Sequence, residues 1–274
     1  RRWPAVNGSA ADAAQVALPD RSPPGDSLQV LGARLDVVTA TEALTTITSW
    51  LPLGHGPPSE TPARTRQVVT LNVEMVMAAR EQARFREVIN TADLVVPDSV
   101  GVVWAARLHG RRIPTRVTGV DSMVALAERA AERGWKLFLL GAGPGIAERA
   151  AQQLCARFPR LDVVGVHAGS PDSGADVAST RLVRASGADI VFVAFGPPAQ
   201  ELWIARNRDR LGARVAMGVG GAFDMLAGEV PRAPVWMQRG GLEWVYRLAR
   251  QPWRWRRMLA LPRFVAAVLR EQWL

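Results

Sequence analysis

The chain has 274 residues, 48% apolar and 22% charged, which is enough to bury one substantial core and excludes a wholly disordered or collagen-like protein. Of the formal net charge of +9, +7 falls on the last 43 residues, Arg232 to Leu274, where nine Arg stand against two Glu beside five of the ten Trp. Basicity concentrated in this way points to an anionic surface as partner; the 33-to-1 excess of Arg over Lys reads as codon bias, but codon bias does not gather arginines at one end.

Residues 1–27 contain basic side chains but no continuous apolar run, so they are read as a flexible tail instead of a signal peptide, and no function is assigned to them. Leu28 to Val37 reads as a short extended segment leading to a helix that begins near Thr41, followed by the Pro/Gly-rich loop LPLGHGPPSETPARTR. Strand-like runs then alternate with helical periodicity. RQVVTLN precedes a helix from about Val73 to Asn90, and DLVVP one from Ser99 to His109. A further helical segment starts just beyond Arg116. KLFLLGA leads to a helix from Pro144 to Phe158, LDVVGV to one from about Asp176 to Ser186, and DIVFVAFG to one from Gln200 to Leu211, before RVAMGVG. The expected fold class is α/β: a mostly parallel, Rossmann-like sheet with helices on both faces, followed by a basic, Trp-rich C-terminal helical appendage. The expected parts are a tail (1–27), a core (28–230) and a membrane-associating appendage (231–274).

Ligands of such folds bind beyond the carboxyl ends of the strands. Those ends carry Thr70 and Asn72, Asp98, Gly141 and Gly143, Gly196 and Gln200, and Gly218 to Asp224. Each of these residue types also serves in ordinary turns and caps, so any single one is ambiguous; five connections converging on one edge favour a site. KLFLLGAGPGIAERAA sets Gly141, Gly143 and Gly145 between a strand and a helix, a context that suits a diphosphate. Asp162 follows where a ribose-binding acid would stand, yet the spacing is G-x-G-x-G and the connection is internal, so a redox cofactor is weakly supported. Asp98 after its strand and Arg116 beyond it read either as a general base with a phosphate-neutralising cation or as a helix cap and a solvated arginine.

The single Cys155, in a helix-like run, reads as a buried thiol, and a chain with no internal disulfide fits a reducing cytoplasm. His55, His109 and His167 lack the spacing of a zinc site, and no Asp-x-Asp pair is present to hold a divalent ion beside a sugar nucleotide. No window approaches eighteen consecutive apolar residues, so no membrane-spanning helix is expected.

In order and spacing, TLNVEMV, DLVVPDSVGVV, PTRVTGVD, FLLGAGPGIAERAA, FGPPAQELWI, GVGGAFDMLAGEVPRAPVW and GLEWVYRLARQPWRWRR closely resemble the bacterial WecG/TagA/CpsF glycosyltransferases over roughly Leu28 to Met258. The resemblance implies an inverting enzyme that moves an N-acetylmannosamine-type sugar from a UDP-sugar donor to a polyprenyl-diphosphate-linked N-acetylglucosamine acceptor. It would work without metal or other cofactor, at the cytoplasmic face of the membrane, on an anionic surface. Carried over by position, it implies Asp98 as base, with Thr70, Arg116 and Gln200 in the catalytic set. Asn72, Asp224 near a uridine, and the appendage arginines Arg247, Arg254 and Arg257 would bind substrate; Gly141 and Gly143 are added to the substrate-binding set from the glycine loop itself. Ser99 and Ala199 depart from the usual Gly and Lys of the family's motifs. No nucleic-acid partner is expected, because the basic segment is confined to one end; a homo-oligomer is admissible. The competing readings are an oxidoreductase built on the glycine loop, a nucleic-acid-binding module, and a homologue that retains only UDP binding. In the appendage, Trp253, Trp255, Phe264, Val268 and Trp273 are spaced to contribute to apolar helix faces, read as meeting the lipid interface or, alternatively, as packing a terminal helix on the core with a charged outer side.

Overall fold

The computed structural model describes residues 26–52, 64–252 and 255–272. The tail up to residue 25, most of the Pro/Gly-rich loop, and Trp253, Arg254, Trp273 and Leu274 lie outside the described residues. The extended segment is a hairpin, β1 (Ser27–Val30) and β2 (Ala33–Asp36), turning at Leu31 and Gly32 with φ of 51° and 82°. Helix α1 (Ala40–Ser49) follows, opened by a capping box in which Thr39 and Glu42 exchange hydrogen bonds.

Six strands build the central sheet: β3 (Arg66–Leu71), β4 (Leu94–Pro97), β5 (Lys136–Gly141), β6 (Asp162–His167), β7 (Ile190–Ala194) and β8 (Val215–Gly218). Every pairing is parallel and the order is β4-β3-β8-β7-β5-β6. A parallel sheet needs cover on both faces, and the strand side chains divide accordingly. Val68, Leu94, Val96, Leu139 and Met217 meet α1, α5 (Gly119–Arg133), α6 (Ile146–Arg157) and α9 (Ala222–Leu226) on one face. Val69, Leu71 and Val95 meet the hairpin, α2 (Val73–Glu81), α3 (Ala83–Thr91) and α4 (Val100–Leu108) on the other, where Val191 and Val193 also meet α7 (Asp176–Ser186) and α8 (Ala199–Asn207). The hairpin is clipped to the sheet by buried polar bonds: Asp36 accepts from the Val95 amide at 2.8 Å, and Arg34 donates to the Ala92 carbonyl at 2.7 Å.

The helix expected from Val73 to Asn90 is interrupted at Gln82, whose backbone is extended. The break lets α2 pack on the C-terminal helix while α3 turns to β2 and α8, two directions one straight helix could not serve. The appendage forms α10 (Val235–Arg239), α11 (Glu243–Arg250), α12 (Trp255–Met258) and α13 (Ala260–Gln272). Phe264 and Val268, read from spacing as candidates for the lipid interface, are instead 1% and 0% exposed in the core between α13, α2 and α4. Trp236 and Trp255, at 67% and 53%, stay exposed. The last helix is therefore part of the fold and closes one sheet face. Replacing Phe264 with Ala should cost about 3 kcal/mol or more, read as a lower urea midpoint, with loss of amide-exchange protection along α13.

Candidate active site

The carboxyl ends of β3, β4, β7 and β8 open into one cavity of about 630 Å³, roofed by the appendage. Thr70, Asn72, Asp98, Arg116, Gln200, Asp224, Arg247 and Arg257 all line it. Gly141 and Gly143 do not. Gly141 ends β5 with φ 109°, and a Cβ there would lie 2.7 Å from the Ala194 carbonyl carbon, so the glycine serves close approach of β5 to β7. Asp162 starts β6, at the opposite end of the strands from that loop, and cannot share a ligand with it. Arg254 lies outside the described residues.

Asp98 is held at the tip of β4 by its backbone N–H, which donates to the Leu71 carbonyl at 2.9 Å. Its Oδ1 accepts from the Gly119 amide at 2.9 Å, at the N-terminus of α5, where helix dipole and free N–H groups favour an anion. Burial nevertheless raises its pKa to about 6; the Gly119 bond and then Arg116 pull it down, Glu243 pushes it up, and Arg247 pulls it down. The adjacent helix α4 is capped by Ser99, whose Oγ accepts from the Val102 amide with φ at −118°. Serine in place of the family's glycine thus costs no backbone strain and takes the capping task that was one reading of Asp98.

Arg116 is not a solvated surface residue. Its Nη2 lies 2.8 Å from Glu243 Oε2 and donates to the Gln238 carbonyl at 3.2 Å, so both acceptors come from the appendage. Arg232 forms a two-pronged pair with Asp121 at 2.6 and 2.7 Å, beside the N-cap of α5. Arg257 reaches Glu74 on α2 at 3.5 Å. Arg247 sits over Gly221, where a Cβ would come within 3.0 Å of its Nη2, and its buried Nε has no hydrogen-bond partner among the described residues.

Three polar residues brace the strand ends. Thr70 donates to the Gly218 carbonyl at 3.0 Å, tying β3 to β8. Asn72 caps α2 by accepting from the Met75 amide at 3.0 Å. Gln200, 1% exposed, accepts with one oxygen from the amides of Gly196 and Gly220, each at 3.0 Å, and so sets the distance between the β7 and β8 loops.

Two curated relatives are similar over most of the chain. Both are named N-acetylglucosaminyldiphosphoundecaprenol N-acetyl-beta-D-mannosaminyltransferase. The protein from Bacillus spizizenii is 36% identical over 205 residues, 75% of this chain and 79% of the relative. That from Bacillus subtilis is 35% identical over the same shares of both chains. The model of the glycosyl transferase WecG/TagA/CpsF family matches residues 28–274. The chain belongs to that family.

As a WecG/TagA/CpsF glycosyltransferase it carries the family pattern beyond Met258, through α13, in accord with that helix being built into the core. Sequence reasoning missed Glu243, Gln238 and Arg232. Their signal was weak but present: Glu243 is one of only two acids in the basic segment, and it stands four residues before Arg247, on the same helix face. Glu201 was missed as well. It is fully buried behind Gln200, its Oε1 accepts from Gln200 Nε2 at 2.7 Å, and its Oε2 has no partner among the described residues. Burial raises its pKa from 4.5 to about 7, the Gln200 amide moderating the rise. Since the fold holds this proton more tightly than the unfolded chain, the stability it lends is complete below about pH 4.5 and falls away up to about pH 7, by about 3 kcal/mol. Glu201→Gln should flatten that segment of the stability-versus-pH curve in urea titrations and exceed the wild type in stability at pH 8.

Proposed function

We propose that this glycosyltransferase moves an N-acetylmannosamine-type sugar from UDP to a polyprenyl-diphosphate-linked N-acetylglucosamine, with inversion. The observation that carries the reading is a strand-end carboxylate of raised proton affinity in one cavity with three arginines. The names of the relatives support the sugar and the acceptor. In a single displacement, Asp98 takes the proton of the acceptor hydroxyl as its oxygen bonds to the anomeric carbon and the bond to the UDP oxygen breaks. The diphosphate leaves with added negative charge, and the reading gives its stabilisation to three guanidinium groups that line the same cavity, Arg247, Arg116 and Arg257. Gln200 and Thr70 act as positioning residues, through the loops they brace.

The same reading places the enzyme on the inner face of the cell membrane as a peripheral protein. Among the described residues no helix is long and apolar enough to cross a bilayer. The appendage nevertheless exposes Val235, Trp236, Trp244, Val245, Trp255, Leu259, Val265 and Leu269, interleaved with arginines. Aromatic and aliphatic side chains beside cations suit an anionic headgroup region.

Incubation with UDP-N-acetylmannosamine and a short-chain prenyl-diphosphate N-acetylglucosamine should give the disaccharide lipid, detected by mass. Asp98→Asn should lower turnover about a hundredfold or more. For the wild type, kcat/KM should rise with pH through about 6 and then level off, since only the ionised carboxylate accepts a proton. Absence of product with the wild type, or normal turnover in the Asn variant, would sink the assignment. In flotation assays the protein should bind anionic vesicles in a salt-sensitive way, and replacing both Trp236 and Trp255 with Ser should reduce binding severalfold without altering the circular dichroism spectrum.

A further inference from the structure

Glu243 is an acid where the proposed function calls for cations. Its side chain is only 12% exposed and lies 2.8 Å from Arg116, a residue the reading assigns to the donor diphosphate. Its other neighbouring cation, Arg232, is 4.0 Å away and already engaged with Asp121. The described lining carries four carboxylates, Glu74, Asp98, Asp224 and Glu243, against three guanidinium groups, Arg116, Arg247 and Arg257. With all of them charged, that count opposes an anion; withdrawing one carboxylate removes the excess acid and frees the Arg116 guanidinium for a phosphate.

We propose that Glu243 is a built-in occupant of the diphosphate seat on Arg116, which the donor must expel, so that donor and appendage compete for one guanidinium group. The inference rests on the reading of Arg116 as a donor-binding cation. Glu243 and Arg247 stand four residues apart on α11, in its first and last turns, and both face the cavity. Expelling the acid and engaging the arginine are therefore movements of one short helix. Arg247 is ready for the exchange: its buried Nε lacks a hydrogen-bond partner among the described residues, and Gly221 leaves room for its guanidinium. Ligand-free, the pair neutralises a half-buried Arg116 and ties α11 to the core beside the cavity.

The opposite role, Glu243 orienting Arg116 for the donor, predicts the opposite sign. UDP binding is measured by isothermal titration for wild type, Glu243→Gln and Glu243→Asn, each also in an Arg116→Ala background, with circular dichroism to verify folding. The amide variants should bind UDP about threefold or more tightly than the wild type, and the gain should shrink to near unity once Arg116 is removed. Unchanged or weaker binding in the amide variants overturns the proposal, as does a gain of the same size without Arg116, which would mark a general field effect. Arg116→Ala alone should weaken binding. Wild-type affinity in that single variant would instead refute the role of Arg116 in donor binding, a failure read with Glu243 untouched.

Discussion

Parallel pairing carries every strand-to-helix connection to one edge of the sheet, and the site depends on that constraint. Strands running in one direction can be joined only by crossovers, which cover both faces and leave the carboxyl-end loops side by side. Here β3 and β8 are neighbours, flanked by β4 at the edge and by β7 on the inner side, so Thr70, Asp98, Gly196 and Gly220 come together although they are spread over more than half of the chain. Gln200 and Thr70 then fix the spacing of those loops with hydrogen bonds that water cannot easily replace, because both side chains are buried.

On this edge the electrostatics follow from exclusion of water. Asp98 loses hydration and regains part of it from the Gly119 amide, which leaves a carboxylate basic enough to take a proton yet ionised near neutrality. The cations around it belong mostly to the appendage, and they are bound by acids of either part: Arg232 by Asp121, Arg257 by Glu74, and Arg116 of the core by Glu243 of the appendage. Core and appendage are thus laced together by charges in and beside the cavity.

The appendage also has two apolar faces with different destinations. Phe264 and Val268 complete the core beneath α13, while Trp236, Trp255, Val265 and Leu269 remain in solvent beside arginines. In a segment this short, one helix serves packing on one side and presents a surface on the other. The basic, Trp-rich composition alone did not separate these uses.

Alternation of β-rich runs with amphipathic helices, legible in the chain from Arg66 to Met217, determined the fold class, because periodicity reports which side of an element meets the core. Polar residues at the strand ends likewise marked Thr70, Asn72, Asp98 and Gln200, since a parallel sheet admits one edge for ligands. Local pattern could not decide that Gly141 serves strand packing apart from the cavity, that Ser99 and not Asp98 caps α4, or that α2 and α3 part at Gln82. Those outcomes hang on neighbours distant in sequence: the Ala194 backbone, the Gly119 amide, and the packing of α13. The pairing of Arg116 with Glu243 and Gln238 is the clearest case, for Gln238 lies 122 residues away along the chain. Which charge meets which is settled by where the tertiary structure sets the elements and how little water it leaves between them, and neither quantity is written in any local stretch of sequence.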